Sequence, residues 1–70
     1  MRFYVQAYRS GHWDHWVTDK SFDAVVEALE HGHKLTEEHD RPVRVVDDEE
    51  RMLWRSAETV TAFKRRTGKK

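Results

Sequence analysis

Ser21-Phe22-Asp23-Ala24-Val25-Val26-Glu27-Ala28-Leu29-Glu30-His31-Gly32-His33-Lys34-Leu35 is the stretch that decides the fold. Phe22, Val25, Val26, Leu29 and the pair Gly32-His33 recur at the spacing of one helix face. Asp19-Lys20-Ser21 opens the helix, because Ser21 or Asp19 can accept a bond from a free amide of the first turn. Asp23 suits the positive helix end. Gly32 costs roughly 1 kcal/mol relative to Ala in a helix interior. It either ends the helix or marks where the helix lies close on a sheet. The second reading carries the helix through Leu35 to about Glu38. Arg41-Pro42 stops it, since the residue before proline disfavours the helical region.

Upstream, Arg2 to Arg9 alternates with period two. Phe3, Val5 and Ala7 share one face, and Tyr4, Gln6 and Tyr8 share the other, which reads as a strand. Ser10-Gly11 or Gly11-His12 supplies a turn, and Trp13 to Thr18 a second strand. A two-residue loop sets Trp16 beside Val5 or Ala7, with Trp13 and His15 joining the tyrosines; a three-residue loop exchanges Trp13 and Trp16. Downstream, Val43-Arg44-Val45-Val46 and Arg51-Met52-Leu53-Trp54-Arg55 are a second pair of strands around the acidic turn Asp47-Asp48-Glu49-Glu50. With Asp48-Glu49 as the loop, Val45 faces Met52 and Val43 faces Trp54. Residues 1–56 therefore form one ββαββ domain, an α+β two-layer sandwich with a mostly antiparallel four-stranded sheet and one helix on one face. Residues 57–70 form a basic C-terminal segment: a short helix capped by Ser56 with Val60 and Phe63 on one side, or an extension of strand through Thr59–Phe63. The helix is the favoured reading. The core expected from these patterns is Phe3, Val5, Trp16, Phe22, Val25, Val26, Leu29, Val43, Val45, Met52 and Trp54.

The strand pattern, the helix opened by Ser21-Phe22-Asp23-Ala24, then Arg44-Val45-Val46-Asp47 and a strand ending at Trp54 resemble small uncharacterised bacterial and phage domains of strand-strand-helix-strand-strand type. The resemblance covers about residues 2–56 and implies a fold without an activity. Phe3-Tyr4-Val5-Gln6 is also similar to the start of the peptidoglycan-binding sporulation-related repeat. That family passes from its first strand into a helix, whereas here a glycine turn and a second strand follow.

The chain has 70 residues with 37% apolar composition, enough for one small core but not for a core plus a deep substrate cavity. It has no cysteine, which removes disulfides, thiolate-bound zinc and a thiol nucleophile. No apolar run is long enough to span a membrane and no signal-peptide core follows Met1, so the expected location is the cytoplasm. The zero net charge conceals an asymmetry: residues 1–13 carry +2, residues 14–50 carry −8 and residues 51–70 carry +6. Such a division concerns partners or self-association more than fold.

Five histidines invite a metal reading, but His12 and His15 fall on opposite faces of a strand, and His31 and His33 about 200° apart on a helix. The acidic turn is exposed to water, where its carboxylates repel one another and stay ionised, with no pocket to raise a pKa. Ser10, Ser21 and Ser56 read as turn and cap residues. No catalytic residue, metal site or cofactor is assigned, and the expectation is a non-catalytic module. The surface offered for binding is the sheet face away from the helix, with Tyr4, Tyr8, Trp13, His15 and Arg44, joined by Arg55, Lys64, Arg65, Arg66, Lys69 and Lys70. Exposed Tyr, Trp and Arg suit a protein interface, including a homodimer. The same set, with its basic end, suits stacking and phosphate contact with nucleic acid as the alternative.

Overall fold

The computed structural model describes residues 1–9, 15–39, 41–57 and 59–67, with Arg66 and Thr67 described by backbone alone. The elements run β1 (Phe3–Arg9), β2 (His15–Phe22), α1 (Val25–Glu38), β3 (Val43–Asp47), β4 (Met52–Arg55) and α2 (Val60–Thr67). The strands form one antiparallel sheet in the order β2-β1-β3-β4. This is the expected α+β architecture with ββαββ order, carrying a short helix at its end.

The core lies between α1 and the two central strands. Val5, Val43, Val45, Ala28 and Leu35 are buried there, with Phe3, Ala7, Phe22, Leu29 and Trp54 packed around them. Val5 stands opposite Val45, so the alternation of β1 and that of β3 turn the same face to the helix. Gly32 is where α1 comes down on the sheet. A Cβ there would meet the Trp54 ring at 3.0 Å and a Val45 methyl at 3.4 Å. The reading of Gly32 as a close-approach residue inside a continuing helix therefore holds. Its stop holds too: the His39 amide bonds the Leu35 carbonyl at 2.8 Å, and Pro42 follows.

The start of the helix differs from expectation. β2 runs on to Phe22, and α1 begins at Val25 after Ala24, which offers no side-chain cap. Ser21 and Asp23 are not free to cap it, because both accept hydrogen bonds from the Arg2 guanidinium, which ties the first residues to the β2–α1 link. The seam of α1 consequently runs through Ala28, Gly32 and Leu35, and not through the earlier valines. Val25 and Val26, expected in the core, are 37% and 60% exposed.

Two β-bulges decide the outer strands. Five residues separate Arg9 from His15, so like parities pair, and Tyr8 stands opposite Trp16. Trp16 is therefore on the face away from α1, and not beside Val5. His15 stands opposite Arg9, which alternation puts on the α1 side, so it does not join the tyrosines. The expected Gly11 turn lies outside the described residues. Between Val5 and Gln6 the register shifts, leaving Asp19 as the extra residue, and Phe22 returns to the α1 side opposite Phe3.

The β3–β4 pairing repeats the device. Val45 stands opposite Trp54, whereas Val46 stands opposite Met52, with Leu53 as the extra residue. Met52, expected in the core, is turned to the other face and is 54% exposed. The turn is one residue longer than expected. The Glu50 amide bonds the Asp47 carbonyl at 2.9 Å, the Asp47 amide bonds the Arg51 carbonyl at 3.1 Å, and Glu50 has φ 65°. Asp47 is buried, not solvated: its carboxylate accepts the Glu49 and Arg51 amides, each at 2.9 Å, and Arg51 Nε at 3.1 Å. These bonds, the Arg51 amide foremost, hold its pKa below the ordinary carboxylate value.

At the C-terminal end, Thr59 takes the capping role expected of Ser56, accepting the Ala62 amide at 3.1 Å. Ser56 is buried and extends the sheet edge instead: its amide bonds the Val43 carbonyl at 2.8 Å and its Oγ accepts the Val43 amide at 3.0 Å. α2 lies against the sheet face that α1 leaves open, through Phe63.

The Gly32 contact predicts that Gly32→Val lowers stability by roughly 1–3 kcal/mol, as overpacking does. Gly32→Ala should fail to deliver the gain of about 1 kcal/mol that helix propensity alone offers, and should shift Trp54 fluorescence. Thermal melts with emission spectra measure both effects. The left-handed Glu50 predicts the opposite sign: Glu50→Gly should raise stability by about 1 kcal/mol in a denaturant titration, since glycine carries no steric penalty there.

Candidate functional site

The sheet face away from α1 carries Tyr4, Gln6 and Tyr8 of β1, Trp16 and Thr18 of β2, Arg44 and Val46 of β3, and Met52 and Arg55 of β4. It is an organised surface. Arg44 Nε donates to Gln6 Oε1 at 2.8 Å, and Gln6 Nε2 donates to Thr18 Oγ1 at 3.2 Å, a chain across three strands. The Arg44 guanidinium also sits 4.3 Å from the centre of the Trp16 ring, within cation–π range. Burial lowers the Arg44 pKa, with Glu50 opposing, but an arginine keeps its charge at neutral pH.

Aromatic packing closes part of this face. Tyr8 has only 3% exposure, with Trp16 edge-on at 5.6 Å and Phe63 edge-on at 5.8 Å. Tyr8 was expected on an open surface; the amphipathic C-terminal helix covers it, because Phe63 buries itself there. Tyr4 is half-buried beside Gln6, Thr18 and Val46, and it borders Asp47, Asp48 and Glu50. That corner is acidic.

The remaining site residues separate. Arg55 is exposed at the end of β4. Lys64 and Arg65 are exposed on α2, and Arg66 belongs to the same helix. His15 is exposed at the start of β2. Trp13, Lys69 and Lys70 lie outside the described residues. The structure thus brings Arg44 to the side that α2 packs on and leaves Arg55 at the sheet edge, where it borders a depression on each face, while Tyr8 is enclosed and His15 faces the other way.

Two features escaped the sequence reading. One is a groove of about 160 Å³ between β4 and the start of α2, walled by Trp16, Pro42, Met52 and Val60 with Arg44 and Arg55 at its rim. The other is a cleft of about 410 Å³ on the α1 side, between the end of α1 and the end of β4. Neither has a local signal, because each combines residues far apart in the chain. Among the described residues no three His, Asp or Glu side chains gather as a metal-binding group. No helix among them is long and apolar enough to cross a membrane.

Phe63→Ala should remove most of what holds α2. A loss of roughly 3 kcal/mol is expected for a buried phenylalanine, with Tyr8 becoming accessible to solvent. A thermal melt gives the first and tyrosine solvent-perturbation spectra the second.

With the fold and these surfaces in view, no protein-family model, curated protein or solved structure matches the chain.

Proposed function

We propose that the chain is a non-catalytic binding module of the cytoplasm that works by contact with a protein, either a partner or a second copy of itself. The observation that supports this reading is the corner where β4 meets α2. β4 is an edge strand, and its outer side pairs with no strand among the described residues. It carries Met52 at 54% and Leu53 at 45% exposure, beside the apolar groove of Trp16, Pro42 and Val60. Trp, Met and Arg around an apolar centre are the residues enriched at interface cores. Unpaired backbone groups on an edge add the capacity for strand pairing.

Nucleic-acid binding is the second reading. It draws on the exposed cations Arg55, Lys64 and Arg65. Its stacking component loses support, since Tyr8 is enclosed and a guanidinium already occupies one face of Trp16.

Light scattering across a dilution series should give a mass above the 8.4 kDa monomer at micromolar concentration. Leu53→Asp should return it to the monomer without lowering the melting temperature, because Leu53 is exposed. A monomer mass at every concentration removes self-association and leaves a different protein as the partner. Saturable binding of labelled oligonucleotides at about 50 mM salt, weakened by Lys64→Ala with Arg65→Ala, would replace this reading with the second.

A further inference from the structure

We propose that the cleft between the end of α1 and the end of β4 binds a small phosphate-bearing molecule by its phosphate group. The cleft encloses about 410 Å³ and is lined by His33 and Thr36 of α1, His39 and Arg41 beyond its end, and Trp54 and Arg55 of β4. That volume falls within the range of small-molecule sites, about 300–1,000 Å³.

The described lining of the cleft is basic or neutral. Residues 14–50 carry −8 overall, yet no Asp or Glu among the described residues lines the cleft. The two acids adjoining its lining in sequence, Asp40 and Glu58, lie outside the described residues. Ion pairs between described residues join Arg2 with Asp23, His31 with Asp19, and Arg51 with Asp47 and Glu49. His33, His39, Arg41 and Arg55 take part in none of them. Four cationic or N–H-bearing side chains thus converge without a carboxylate partner among the described residues, in a chain that has as many acids as bases.

The negative end of α1 accounts for a cation at Arg41. It does not account for Arg55, which comes from β4, or for His33, which lies well inside the helix. The end of a helix amounts to roughly half a charge, which two guanidinium groups outweigh. Guanidinium forks match phosphate oxygens in pairs, and the imidazole N–H groups add single donors. Trp54, with His33 tilted against it at 4.7 Å, supplies an apolar wall for whatever the phosphate is attached to.

The test uses inorganic phosphate, a nucleoside monophosphate and the corresponding nucleoside, titrated into the full chain at low salt and followed by amide NMR shifts. Phosphate and the monophosphate should saturate with a dissociation constant of about 1 mM or lower, with shifts grouped at residues 33, 39, 41, 54 and 55. The nucleoside alone should not bind. Arg41→Ala and Arg55→Ala should each weaken binding about tenfold, the loss of a charge-assisted hydrogen bond. Arg55→Lys should weaken it less, and Lys34→Ala, on the solvent side of α1, should leave it unchanged. Melting temperatures equal to the parent's establish that each variant is folded. The proposal is overturned by the absence of saturable shifts, by binding that survives both arginine substitutions, or by a nucleoside that binds as well as its monophosphate.

Discussion

The pairing of β1 with β3, with Val5 opposite Val45, is the constraint on which the rest of this small domain depends. Both side chains are fully buried, and the strands keep regular register from Phe3 opposite Asp47 to Ala7 opposite Val43. One helix covers that central pair, and it can do so because its contact face is small. Ala28 and Gly32 bring the α1 backbone near the sheet, and Leu35 and Leu29 fill the space to either side. In a chain this short, where stability is a small difference between large terms, such close packing replaces the bulk that a larger core would supply.

The outer strands accommodate to this central pair by bulging. Asp19 in β2 and Leu53 in β4 are the inserted residues, at the level of Val5 and Val45. Each bulge inverts the facing of the residues beyond it. This lets Phe22 and Trp54 close the α1 layer while Trp16 and Met52 furnish the opposite face. That face then acquires its own small apolar centre, Tyr8 with Trp16 and Phe63. The inserted Asp19 is itself used: its carboxylate bonds His31 of α1 at 2.7 Å, joining the helix to the edge strand. Arg2 fastens the residues before β1 to the end of β2 and the link into α1, through Ser21 and Asp23.

The polar groups of the molecule divide by role. Asp47 organises the β3–β4 turn by accepting three hydrogen bonds, so the most acidic run of the chain has a structural member and three exposed ones. Arg44 is engaged with Gln6 and Trp16, which makes it part of the sheet surface and not a free cation. Arg41 and Arg55, with the imidazoles of His33 and His39, line a cleft at the opposite end of the sheet from the acidic turn. A neutral chain with its charges sorted this way presents different chemistry at its two ends.

Local sequence determined the kinds of element and their order. Period-two alternation in Phe3–Tyr8, helical spacing through Leu35, and the stop at Arg41-Pro42 reflect backbone geometry that acts over a few residues. Gly32 was legible for the same reason, since a glycine retained within a helical pattern implies that something approaches it closely. The facing of β2 and β4 was not legible. A bulge shifts parity by one residue and is stabilised by pairing with a neighbouring strand, so nothing local marks Asp19 or Leu53 as the extra residue. The helix start was not legible either, because Ser21 and Asp23 are drawn to Arg2, nineteen or more positions away. The binding surfaces shared this fate. The exposed cations of α2 were visible as a basic run, but the enclosure of Tyr8, the groove at Met52 and the convergence of His33, Arg41 and Arg55 arise only when α1, α2 and the sheet edge meet, because burial and proximity are properties of the packed chain.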